Sequence, residues 1–207
     1  ILLDCNSREY QYNSLVLEAY DIVLLDTQIK HTLASSEYNT RRKECEQGIT
    51  QIQLKYPLVK SLRDATIEIL DQCVDQKIMP IVYNRCKYVI EEIERTKAAA
   101  KDLQENKLEA FGQKMFATHY GLSNLYEVSC PELDFLVNAV ASDFSNTNKY
   151  VIGARMMGGG FGGCTINLIK KEATAFVVQK LVASYQNTFQ KTLVHYIVSI
   201  EDGVHII

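Results

Sequence analysis

"YVIGARMMGGGFGGCTINLI", residues 150 to 169, decides how the chain is read. Two short apolar runs flank a segment, 156 to 163, that holds five of the chain's ten glycines. By letters alone Gly158, Gly160 and Gly163 satisfy G-x-G-x-x-G. A dinucleotide fingerprint must open a helix and be followed by an acidic residue about twenty positions on. This one instead leads into the strand-like "CTINLI". A protein-kinase glycine loop does join two strands, but its V-A-I-K, H-R-D and D-F-G partners are missing, as is the G-K-S/T of a Walker loop. A tight hairpin needs only one or two glycines. Gly158, Gly159, Gly160, Gly162 and Gly163 therefore fit a backbone that passes close to another segment or to a phosphate.

Outward from this loop, the apolar "IVLL" at Ile22 to Leu25 predicts a strand buried on both faces. Ser35 or Ser36 caps a following helix, with Glu37 in its first turn. Pro57 breaks that segment, and a second helical stretch runs to about Gln76 and closes at Pro80. Val82, Cys86, Val89 and Ile93 mark an amphipathic helix from Ile81 to about Gln104, and another helix covers Lys107 to His119. Ser129 and Glu132 form a capping box for a helix from Cys130 to about Ala141, with Pro131 in its first turn. After a polar loop, residues 142 to 149, come the two strands around the glycines. A helix with Phe176, Val177, Lys180, Leu181 and Ser184 along one stripe follows, and "TLVHYIVSI" closes as a strand. Strand, helices, strand, strand, helix, strand is an α+β order. It matches the ferredoxin-like split βαβ sheet elaborated with an inserted helical bundle.

The 207 residues, 47% hydrophobic and 23% charged, suffice for a sizeable core. A net charge of −3 argues against a nucleic-acid or membrane-surface partner, and no apolar run is long enough for a bilayer. The six cysteines show neither C-x-x-C pairs nor histidines at zinc spacing, which indicates no metal site and a reduced, cytoplasmic protein. The opening "ILLDC", without methionine and already strand-like, reads as a cut through a larger fold.

Residues 153 to 169, "GARMMGGGFGGCTINLI", resemble the third conserved motif of the GHMP small-molecule kinases. That superfamily includes galactokinase, homoserine kinase, mevalonate kinase and phosphomevalonate kinase. "KHTLASSEYNTRRKECE" (30 to 46) and "HYGLSNLYEVSCPELD" (119 to 134) narrow the resemblance to the galactokinase family. The resemblance implies an enzyme that moves the γ-phosphoryl group of ATP, with Mg²⁺, to the anomeric hydroxyl of galactose. It also implies that residues 1–17 are a remnant of the preceding N-terminal domain strand and linker, and residues 18–207 the GHMP kinase C-terminal domain. The family's sugar motif, phosphate loop and aspartate base find no match here, so the resemblance places no catalytic residue in this chain. Its own N-terminal domain is the implied partner and holds most of the ATP and Mg²⁺ contacts, leaving the isolated piece inactive.

The resemblance places Tyr38 on the sugar-binding tyrosine; the residue pattern by itself reads it as packing at a helix start. Lys30 falls where relatives carry an arginine near the nucleotide, keeping the charge without the bidentate fork. His119 lies in a motif like the family's H-x-S-L, with Gly121 in place of serine, and reads as a structural hydrogen-bonding residue. His31 anchors a loop, Arg41, Arg42 and Lys43 form a solvated face, and Cys164 is a small buried strand residue. Among Glu127, Glu132 and Asp134, capping accounts for Glu132. A related kinase for N-acetylgalactosamine or arabinose and a non-catalytic galactose- and ATP-binding regulatory relative remain open beside galactokinase.

Overall fold

The structure, a computed structural model, describes residues 1–13, 15–30, 34–142 and 147–201. A short antiparallel hairpin opens it, β1 (Leu2–Leu3) with β2 (Tyr10–Gln11). The main sheet has four strands: β3 (Tyr20–Asp26), β4 (Val151–Met156), β5 (Cys164–Lys170) and β6 (Val194–Val198). Their spatial order is β4-β5-β3-β6, and every neighbouring pair is antiparallel. Taken in chain order this is the ferredoxin-like arrangement, in which the first strand ends between the third and the fourth. Among the described residues five α-helices stand between β3 and β4: α1 (Ala34–Gln53), α2 (Ile67–Cys73), α3 (Pro80–Gln104), α4 (Leu108–Asn124) and α5 (Pro131–Ala141). A sixth, α6 (Thr174–Phe189), links β5 to β6.

β3 is buried on both faces because its side chains alternate between two cores. Val23 and Leu25 join Ile169 with Val137 and Val140 of α5 and Val177 and Leu181 of α6. Ile22 and Leu24 face the other way, onto Leu168, Met115 of α4 and the leucines Leu15 and Leu17. Each such buried aliphatic side chain contributes about 2 kcal/mol relative to exposure. A third cluster, built on Ile52, Leu70, Val82, Cys86 and Ile90, holds α1, α2 and α3 together as the inserted bundle. Among the described residues no helix is long and apolar enough to cross a membrane.

Several boundaries differ from the sequence expectation for identifiable reasons. α1 starts at Ala34, which puts Ser35 and Ser36 inside its first turn rather than in front of it; their side chains, and His31, lie outside the described residues. The stretch after Pro57 divides into a 3₁₀ turn at Leu62–Asp64 and α2, which Thr66 caps by accepting the Ile69 N–H at 3.4 Å. α4 runs on to Asn124. The capping box of Ser129 and Glu132 does not form: Cys130 is the residue that precedes α5, and Glu132 instead receives Lys191 Nζ at 2.7 Å. On α6 the buried stripe is Thr174, Val177, Val178, Leu181 and Tyr185, while Phe176 and Lys180 lie on the solvent side with the ammonium 5.9 Å from the ring centre.

Candidate functional site

The loop between β4 and β5 is closed at its base by the Met157 N–H, which donates to the Cys164 carbonyl at 2.9 Å. Two other segments grip its second half. The Phe161 N–H donates to the Val128 carbonyl at 2.8 Å, on the connection between α4 and α5. Gly163 donates to the Ile29 carbonyl at 3.1 Å and accepts from both the backbone and the hydroxyl of Thr27, at 3.0 and 2.7 Å, just past β3. Gly160 has φ +87°, and a Cβ there would stand 2.0 Å from the Val128 oxygen, so the close approach excludes any side chain. At Gly158 and Gly159, by contrast, an added Cβ would meet no atom within 4 Å. The glycine cluster thus has a clamped base and an open tip.

Lys30, exposed, directly follows the Ile29 whose carbonyl holds Gly163, so it stands beside the loop. Tyr38 is 67% exposed on α1, which removes the reading of a tyrosine packed at a helix start. Three residues on, Arg41 donates from Nε to the Tyr126 carbonyl at 2.7 Å and from Nη2 to the Glu127 carbonyl at 2.9 Å. The structure therefore ties the glycine loop and the Tyr38 end of α1 to one connection, residues 125 to 130, while Lys30 neighbours the residue that holds Gly163 on the other side of the loop.

Two buried arginines that the sequence pattern does not single out hold that connection. Arg41 is buried rather than part of a solvated face; only its neighbours Arg42 and Lys43 are exposed. Arg85, 2% exposed on α3, donates to Glu44 Oε2 at 2.9 Å, to the Leu125 carbonyl at 2.5 Å and to Glu127 Oε2 at 2.7 Å. Burial works against its charge, but Glu127 and Glu44 outweigh that and hold the guanidinium more firmly protonated than a free arginine. Glu44 also lies 3.5 Å from Arg41, so one carboxylate bridges both guanidinium groups. The available signal was Arg85 itself, a charge set directly beside Cys86 on the apolar stripe of α3.

Residues 99–187 match the sequence profile described as "GHMP kinases C terminal". This chain carries a GHMP kinase C-terminal domain. It is 39% identical over 204 residues to a galactokinase of Thermotoga maritima, covering 99% of this chain and 54% of that protein. To a galactokinase of Clostridium beijerinckii it is 39% identical, covering 98% of this chain and 51% of the relative. The crystal structure of Lactococcus lactis galactokinase complexed with galactose superposes with a TM-score of 0.85 at 30% identity, over 97% of this chain and 50% of that one. An L. major mevalonate kinase shares the fold, at a TM-score of 0.50 and 19% identity. The chain spans about half the length of the curated relatives it matches.

In this GHMP kinase C-terminal domain His119 is a buried strut behind the loop. Its Nδ1 accepts the Met156 N–H at 3.2 Å, which puts the ring proton on Nε2, 3.2 Å from Asp134 Oδ1. Ser123 donates to the other Asp134 oxygen at 3.0 Å. Burial alone would raise the Asp134 pKa, but His119, Ser129 and Ser123 together hold it below the ordinary 3.8. A carboxyl held low stabilises the fold above its unfolded value, and that contribution is lost as pH falls through the folded one. Asp134→Asn is therefore expected to lower the urea midpoint at pH 7, with the gap to wild type narrowing progressively as pH falls below 3.8; a gap that stays constant with pH would remove Asp134 from the strut.

Cys164 is half-buried opposite Asp26, and burial first, then that carboxylate, pushes its thiol pKa up, away from reactivity. Among the described residues no three His, Cys, Asp or Glu side chains come together as a group that could hold a metal ion.

Proposed function

We propose that this chain is the carboxyl-terminal half of a galactokinase, with residues 1–17 belonging to the preceding domain and residues 18–207 forming the GHMP kinase C-terminal domain. The observation that carries the reading is end-to-end similarity to galactokinases at 39% identity. In the complete protein the anomeric oxygen of galactose attacks the γ-phosphorus of ATP, the bond to the β-phosphate oxygen breaks, and ADP leaves. The hydroxyl proton would pass to a carboxylate outside this chain, and bound Mg²⁺ would supply charge neutralisation at the phosphates. Such transfer depends chiefly on positioning and on charge stabilisation.

Within that division of labour this chain supplies a wall of the cleft. Tyr38, exposed at the start of α1, offers its hydroxyl to the sugar and its ring to an apolar sugar face. Lys30 adds a positive charge next to the nucleotide, and Gly158 and Gly159 leave backbone room for the phosphates.

The test is a coupled phosphorylation assay on the complete protein with galactose, N-acetylgalactosamine and arabinose, alongside the 207-residue chain alone. Turnover with galactose is expected from the complete protein and none from the chain; no ATP turnover with any sugar, or a preference for another sugar, would overturn the reading. Tyr38→Phe in the complete protein should raise the galactose KM by about tenfold and leave the ATP KM within about twofold, the loss of one hydrogen bond. An unchanged galactose KM and kcat would take Tyr38 out of the site.

A further inference from the structure

We infer that Arg85 and Arg41 are positioning residues of the site proposed above, a paired guanidinium clamp that fixes the distance between the glycine loop and the Tyr38 end of α1. The inference rests on that functional reading and goes beyond it to residues that touch no substrate.

The chain of contacts is continuous. Arg85 comes from α3 and Arg41 from α1, and Glu44 lies against both, 2.9 Å from Arg85 Nε and 3.5 Å from Arg41 Nη1. Between them the two side chains take the carbonyls of three successive residues, Leu125, Tyr126 and Glu127. Glu127 is held in the left-handed region at φ +54°, a conformation a non-glycine residue keeps only when its surroundings enforce it. Both of its ends are tied: its carbonyl to Arg41 and its carboxylate to Arg85. The next residue, Val128, presents its carbonyl to the Phe161 N–H, and Phe161 is itself left-handed at φ +61°. Gly160 sits directly under the same carbonyl.

A carbonyl rotated away at Val128 would therefore release the loop, and a released Arg41 would let the first turns of α1 drift from it. Neither guanidinium needs to reach the cleft for this. Both are buried, so their effect passes through the backbone they hold. A planar five-donor fork suits the task of Arg85, taking one carbonyl and two carboxylates at fixed angles, which a lysine cannot do.

The test uses Arg85→Lys and Arg85→Met in the complete protein, with Arg42→Ala, at an exposed pair with Glu46, as the comparator. Amide exchange at Phe161 should accelerate at least tenfold in Arg85→Lys, while the β5 amides of Ile166 and Leu168 keep their protection. In the same variant the galactose KM should rise and kcat should fall, each by roughly tenfold, because displacements near 1 Å are that costly to a reacting geometry. Should Arg85→Met fail to fold, Glu127→Gln, which removes the carboxylate charge at a half-exposed side chain, is expected to move Phe161 exchange in the same direction. A merely structural role would lower the active fraction and leave the KM and per-site turnover unchanged; that outcome, or unaltered Phe161 exchange, overturns the clamp. Absence of sugar phosphorylation in the wild-type protein would instead sink the functional reading, and the exchange experiment would still decide whether Arg85 holds the loop.

Discussion

Alanine at Gly112 is expected to destabilise the domain by about 3 kcal/mol or more, the upper range for overpacking a rigid contact. α4 lies against β4 at this residue with no side chain between the two backbones. A Cβ on Gly112 would stand 2.1 Å from the Ile152 oxygen and 2.6 Å from its carbonyl carbon, and one on Gly153 would stand 2.5 Å from the Gly112 Cα. Nothing there can rotate aside, because both partners are main chain. The helix would have to lift off the strand, and close-packed interiors do not absorb such a shift locally. Lifting α4 would part Met115 from Ile22 and Leu168 on one face of the sheet and Phe116 from Ala154 and Val151 on the other. Urea unfolding of Gly112→Ala reads the effect; a midpoint near wild type would mean that α4 is not seated by this contact.

Gly160→Ala is expected to cut galactose-dependent turnover of the complete protein by about 100-fold, the scale of a misplaced reacting group. The substitution forces φ +87° on a residue with a Cβ and drives that Cβ to 2.0 Å from the Val128 oxygen, so the Phe161 hydrogen bond must break. Gly159→Ala is the matched comparator, since its Cβ would meet nothing within 4 Å. Its unfolding midpoint should equal wild type. Lower turnover in Gly159→Ala at unchanged stability would mark the tip of the loop as the surface the phosphates approach. Wild-type turnover in Gly160→Ala would show that the loop geometry is irrelevant to catalysis.

Much of the fold was legible from local pattern. The uninterrupted Ile22–Leu25 run, the two strands around the glycines and the 82-86-89-93 spacing of α3 each report a periodicity that survives folding. Burial on the sheet and in the bundle selects for that same periodicity. The failures have a common cause as well. Ser129 and Glu132 had the letters of a capping box, yet Glu132 was taken by Lys191 of a distant segment. The α6 stripe was misplaced by one position because Phe176 is as apolar as its buried neighbours and only the sheet decides which face turns inward.

The site divides along the same line. The sequence by itself determined that a glycine-dense strand-to-strand loop exists, that it opens no helix, and that the chain resembles the GHMP kinases, since glycine spacing and strand periodicity are properties of contiguous residues. Only the tertiary structure decided what the glycines are for. Gly160 and Gly162 make room for the Val128 and Ile29 carbonyls, while Gly158 and Gly159 stay open. It also decided that Arg41 and Arg85, which are 44 positions apart in sequence and read locally as ordinary helical charges, meet around Glu44 and fix residues 125 to 128. A buried charge is stable only where partners from other segments satisfy it, and those partners are brought together by folding rather than by sequence neighbourhood.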